Sequence, residues 1–262
     1  MAVCCNILSR DEKYRRGIEM KRSVLFVLLF LIFSLVTCAK EEFARPHVTA
    51  LFTPEPVTID GIVDEAIWQK SQILQLRDSR SSLEIADSAY STTTLTCYDS
   101  ANLYIAFICN DPDIHSSFTE RDQHLWEEEV VEAFIDTDDE ADNYVEIEVA
   151  PNNVLFDSYI VDPVNIDVEA TAEFHLPGMI SAVSIDGTLN QREDTDRRWT
   201  VEIAIPFIDM IENFRPSMLK DAVWKINYYR INRDSRGPTA CAWSPTGGSF
   251  HRPDRFGIIE FK

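Results

Sequence analysis

The chain has 262 residues, 45% of them hydrophobic and 11% aromatic, with 8 Gly and 12 Pro, which excludes a disordered, collagen-like or low-complexity polymer. Its formal net charge is −20, and beyond residue 38 it carries 18 basic residues against 41 acidic ones. So acidic a chain repels phosphate backbones, which sets nucleic acid aside as a partner and favours a neutral or cationic ligand.

Met20-Lys21-Arg22 opens a positive segment, followed by 14 uncharged residues from Ser23 to Val36. That run is too short for a bilayer crossing of about 20 residues and reads as a secretory signal over 20–38. Residues 1–19 do not fit ahead of such a signal, so Met20 is expected to be the true start. Leu35-Val36-Thr37-Cys38 is similar to a bacterial lipobox, which makes Cys38 the candidate lipid anchor. Cleavage after Ala39, giving a secreted or periplasmic form, is the alternative. Lys40-Glu41-Glu42 is similar to the signal that sends some Bacteroidota lipoproteins to the outer surface, and a solvated tether over 39–50 accounts for it equally.

From residue 51 the chain reads as β-strands by alternation. Leu95 and Cys97, then a polar turn near Asp99–Asn102, then Leu103, Ile105, Phe107 and Cys109 form a hairpin. Val131, Ala133 and Ile135 share one face, opposite Glu132. Tyr144, Glu146 and Glu148 alternate with Val145, Ile147 and Val149, and the plain expectation for both glutamates is a solvated sheet face. Further strands are read at Trp199–Ile205, Trp224–Ile231 and Phe256–Phe261. Helical pattern is confined to Asp64–Lys70 and Ile208–Phe214. Many short strands without α/β alternation predict an all-β antiparallel sandwich of the jelly-roll kind, one domain over 51–262 with short peripheral helices. Cys97, Cys109 and Cys241 are an odd set at spacings unsuited to zinc and read as small buried residues.

Four blocks carry a resemblance. They are Thr58-Ile59-Asp60-Gly61-Ile62-Val63-Asp64-Glu65-Ala66-Ile67-Trp68, then Tyr98 to Asp113, then Thr119-Glu120-Arg121-Asp122 with Leu125-Trp126 through Asp136, and last Trp243-Ser244-Pro245-Thr246 with Phe250 to Gly257. In this order they resemble family 9-like carbohydrate-binding modules, whose sandwich is related to the DOMON group. The resemblance implies a sugar unit held between two tryptophans, because sugar C–H faces stack on aromatic rings and hydroxyls need polar partners. It places Trp126 and Glu132 in the family's Trp-then-acid segment and Trp243 as second wall, with Arg121, Tyr144 and Arg230 as polar or stacking candidates. Trp68, Trp199 and Trp224 sit in apolar registers and are expected in the core. The resemblance also admits structural calcium, for which the crowded carboxylates of Asp136, Asp138 and Asp142 are the candidate ligands.

The function so implied is non-catalytic binding of oligo- or polysaccharide, of xylan or cellulose type, by an exported or lipid-anchored module at the cell envelope. Two alternatives stay open. A carboxylate pair would make a glycoside hydrolase, and Met with His ligands would make a haem-binding DOMON-type redox module. No hydrolase, metalloprotease, P-loop or dinucleotide motif is present.

Overall fold

The computed structural model describes residues 44–138, 140–234 and 236–262. The Met20 start, the export segment with Cys38, and Lys40–Glu42 lie outside the described residues. The alternating pattern resolves into β1 His47–Phe52, β2 Leu74–Gln75, β3 Arg77–Asp78, β4 Thr92–Tyr98, β5 Asn102–Asn110, β6 Val130–Asp136, β7 Tyr144–Val149, β8 Leu155–Ile160, β9 Ile180–Asp186, β10 Arg198–Pro206, β11 Val223–Asp234, β12 Gly237–Ala242 and β13 Gly257–Phe261. His47–Ala50, which the sequence reading put in the tether, already belong to β1. Arg45–Lys262 form one compact unit.

The strands make two layers. The front layer runs β8-β7-β6-β11-β13-β1, with β12 and β3 beside β11, and the back layer runs β1-β4-β5-β10-β9, with β2 on β4. β1 joins them: His47–Ala50 pair with β13 and Leu51–Phe52 with β4, in parallel both times. The other ladders among the described residues are antiparallel, as the alternating pattern requires. In the hairpin, Cys97 pairs with Tyr104 and Cys109 with Thr92, and Cys97, Cys109 and Cys241 are all free and buried.

Because side chains alternate across a strand, each layer has an inner and an outer face. The inner faces meet in one core that includes Val131, Ala133, Ile135, Val145, Ile147 and Val149 of the front layer and Leu103, Ile105, Phe107, Trp199, Val201 and Ile203 of the back layer. Trp68, Trp199 and Trp224 are buried as expected. The back layer's outer face carries a smaller apolar cluster with Val57, Trp68, Leu95, Cys97, Tyr104, Ala106 and Ala204.

The segment before β2 seals that outer face by a polar contact. Glu202 is fully buried. One of its oxygens accepts the N–H groups of Asp60 and Gly61 at 3.2 and 3.0 Å, and the other accepts Trp68 Nε1–H at 2.9 Å. Gly61 is required there: its φ is +82°, and a Cβ would lie 2.7 Å from the backbone nitrogen of Ser184. The stretch read as a helix over Asp64–Lys70 is instead a turn closed by i→i+3 bonds, Trp68 N–H to Glu65 O and Lys70 N–H to Ile67 O, both 3.0 Å. Docking Trp68 onto Glu202 fixes a single tight turn where propensity alone offered a helix. The second helical pattern shortens to Phe207–Met210.

Candidate functional site

The front layer's outer face is apolar at both ends and acidic in the middle. On β6 the outward residues run Val130, Glu132, Phe134, and on β7 they run Tyr144, Glu146, Glu148, followed by Ala150. Phe134, Tyr144, Ile160, Tyr229, Ala242 and Phe256 form one apolar cluster, with Phe250 and Ile166 against it. Leu125, Val130, Ala150 and Phe156 form another, with Trp126 and Val168 against it. Between the clusters, Glu132 pairs directly with Glu148 across the ladder and Phe134 with Glu146. The expectation that Glu146 and Glu148 face water is therefore overturned. They are 6% and 1% exposed, and Glu132 is 2% exposed, because neighbouring loops close over the sheet.

Those loops leave a cavity of about 430 Å³ above the glutamates. The short 3-10 turn Leu125–Glu127 supplies one wall. Leu125 is fully buried and anchors the turn, which leaves Trp126 half-buried, stacked on His124 at 4.5 Å and edge-on to Phe156 at 5.4 Å. The loop Gly248–His251 supplies another, with Phe250 stacked on Tyr229 at 4.1 Å between ring centroids. Ile166, Val168 and Thr171 line the rim beside the short helix Val168–Thr171, which is capped by Asp167 accepting the Ala170 N–H.

The floor is short of hydrogen-bond donors. Glu146 accepts from the Ser158 hydroxyl at 3.0 Å. Glu132 Oε1 and Glu148 Oε2 are buried with no hydrogen-bond partner. Burial pushes all three carboxyls upward, Glu146 to about 7 and the other two well above the usual range, and the mutual repulsion of the acids adds to the rise in Glu132 and Glu148. Among the described residues, no Lys or Arg lines the cavity. His251 does, but burial holds it down at about 4, so it is neutral at pH 7, and its Nδ1 lies 2.6 Å from the Tyr144 hydroxyl in a shared hydrogen bond.

The structure brings together Trp126 and Glu132 of the sequence candidates, with Tyr144 beneath the cavity through His251. It does not bring in the others. Arg230 lies on the inner face, paired with Val131 across the ladder. Its guanidinium donates to Thr92 Oγ1, Asn110 O and Asp111 Oδ2 at 3.1, 2.9 and 2.5 Å, so it ties the two layers together. Trp243 is 8% exposed and belongs to the inner core. It fills the groove left by Gly257, where a Cβ would lie 2.2 Å from its ring. Arg121 pairs with the buried Asp157. Residues not singled out from the sequence complete the site: Glu146, Glu148, Phe156, Phe250 and His251. The two glutamates were legible only as period-2 partners of Tyr144.

The expected calcium ligands do not converge among the described residues. Asp136 is buried and accepts the N–H groups of Asp138 and Ala141 at 3.1 and 3.2 Å, with Lys225 Nζ 3.7 Å away. Asp138 accepts the Glu140 N–H. Their oxygens serve the turn itself. The carboxylates that do converge, with ligand atoms within 4.8 Å of one another, are Glu132, Glu146 and Glu148.

A sandwich with an aromatic-walled cavity on an outer sheet face has the fold of a carbohydrate-binding module. The family model described as Carbohydrate family 9 binding domain-like matches residues 59–262, and the chain belongs to that family. Its fold is similar to that of a Bacteroides uniformis protein assigned to carbohydrate binding, with TM-score 0.63 and 16% identity, over 84% of this chain and 100% of the other. It is also similar to a family 9 module of Caldicellulosiruptor kristjanssonii solved with cellotriose, with TM-score 0.56 and 18% identity over 82% and 93%, and solved with glucose, with TM-score 0.55 over 82% and 95%. An extracellular protein of Arthroderma benhamiae is 28% identical over 179 residues, 65% of this chain and 78% of the other. No helix among the described residues is long and apolar enough to cross a membrane.

Proposed function

We propose that the chain binds carbohydrate without acting on it, and that the cavity above Glu132, Glu146 and Glu148 takes one sugar unit or chain end. The observation that carries this reading is the pairing of a half-buried Trp126 face with buried acceptors on one cavity floor. A sugar presents an apolar C–H face to such a ring and hydroxyl donors to such acceptors. Phe250, which lines the same cavity, takes in this reading the place expected for Trp243. The cellotriose and glucose bound by the Caldicellulosiruptor modules make β-glucan fragments the first ligands to try.

Hydrolysis is disfavoured by placement. A glycosidase sets its two carboxyls on either side of the scissile bond, whereas these three stand on neighbouring strands beneath one side of any ligand. The exported setting rests on the signal-like segment with Cys38 and on the extracellular Arthroderma relative. In calorimetric titration with cellotriose and xylo-oligosaccharides, Trp126→Ala is expected to weaken binding at least about tenfold, since stacking of about 0.5–1.5 kcal/mol is lost along with ring burial. Wild-type binding by the folded variant would return Trp126 to a packing role. Release of reducing sugar by the wild-type chain would replace binding with catalysis.

A further inference from the structure

We propose that Glu132, Glu146 and Glu148 form a divalent-cation site of the calcium class on the cavity floor, with the cation's remaining positions facing the cavity and open to hydroxyls of the bound sugar. The inference deepens the carbohydrate reading and rests on it.

Three observations carry the assignment. The first is convergence: three buried carboxylates, from two adjacent strands, present oxygens within 4.8 Å of one another. Like charges directly opposite across a ladder destabilise a sheet, and Glu132 and Glu148 stand directly opposite. The second is the hydrogen-bond balance. Glu132 Oε1 and Glu148 Oε2 point into the buried site without donors, although buried carboxylates are ordinarily satisfied. The fold can satisfy one when it is structural, since Glu202 receives three N–H donors. The third is the absence of a compensating cation from the lining: among the described residues no Lys or Arg reaches the cavity, and His251 is neutral at pH 7.

The charge count selects the class. Three carboxylates offset by one ammonium group leave two buried negative charges, whereas a divalent cation leaves one, which the Ser158 hydroxyl or a retained proton can support. All-oxygen donors favour a hard cation over zinc or copper. Calcium takes six to eight oxygens, so three carboxylates leave positions for water or vicinal hydroxyls.

The test uses the full chain with Tb³⁺ as probe, excited through tryptophan, because Trp126 lines the cavity. Saturable Tb³⁺ emission displaced by Ca²⁺ is expected. Glu148→Gln and Glu132→Gln should each weaken it at least about tenfold, since even outer-shell changes at metal sites cost 10- to 100-fold, and Asp138→Asn should leave it unchanged. Ca²⁺ should raise the melting temperature of the wild type but not of Glu148→Gln, a readout that also reports whether the variant folds. Cellotriose affinity should fall at least about tenfold in EDTA. Emission that survives Glu148→Gln but is lost in Asp138→Asn puts the cation in the acidic turn and overturns the inference. No saturable emission, with cellotriose bound equally in EDTA and Ca²⁺, overturns the cation and leaves the sugar site standing. Loss of both overturns both.

Discussion

Buried acids on the two outer faces of this sandwich differ in how their oxygens are satisfied. Glu202, on the back layer, is covered by the 53–71 segment and receives the N–H groups of Asp60, Gly61 and Trp68. Glu132, Glu146 and Glu148, on the front layer, are as deeply buried, yet one hydroxyl, from Ser158, is the side-chain donor that reaches them. Burial is common to both regions and decides nothing. The supply of donors separates them, and it explains why the Asp-Gly…Trp block at residues 60–68 is a packing device although it carries the resemblance most visibly.

The largest expected effect comes from breaking the satisfied side. Glu202→Ala orphans three donors at once, and at about 1–3 kcal/mol for each unsatisfied buried group, relieved in part by water, should cost about 3–5 kcal/mol. Urea unfolding checks it; a loss below about 1 kcal/mol would show that the segment docks by apolar contact alone. Gly61→Ala attacks the same seam through the backbone. Left-handed φ and a Cβ against Ser184 should together cost about 2–4 kcal/mol, and a variant as stable as the wild type would mean that the seam opens freely.

The pH dependence sharpens the comparison. Burial pushes Glu202 up from its ordinary 4.5 to about 7, against the pull of its N–H donors. With the folded value raised, its contribution is fully present below about pH 4.5 and is lost as pH rises through about 7. The wild type should therefore lose stability between pH 5 and 8, and Glu202→Gln should lose less over that range. Melting curves at four pH values decide it, and parallel curves for the two proteins would refute the assignment.

The smallest effect is expected on the unsatisfied side. In EDTA, Glu148→Gln removes one like charge without changing shape, so stability should be unchanged or should rise by up to about 1 kcal/mol. A loss of more than about 2 kcal/mol in urea unfolding would mean that the front acids are structural, like Glu202.

Many of the strands were legible from alternation, because one face of each strand is dry. The β4–β5 hairpin, β6, β7, β10 and the buried Trp68, Trp199 and Trp224 all follow from it. β8, β9 and β12 were not read: Leu155–Ile160 and Gly237–Ala242 are short, and β9 keeps Ile180 exposed, blurring its period. The same alternation applied to β11 places Arg230 on the inner face with Ile226 and Tyr228, a deduction that its charge concealed. Trp243 looked exposed in a Ser-Pro loop, and nothing local tells that Gly257 leaves a groove for it.

The sequence by itself determined the sandwich and the Trp126–Glu132 spacing, since these rest on periodicity and short-range order. The tertiary structure alone decided which acids lack donors and which aromatics share a cavity with Trp126. Period two puts Glu146 and Glu148 on an outer face but cannot say whether that face is wet. That depends on the turn Leu125–Glu127 just before β6 and on the more distant loops Ile166–Thr171 and Gly248–His251 folding over one patch of sheet, and the desolvation of a carboxylate is set by what closes above it.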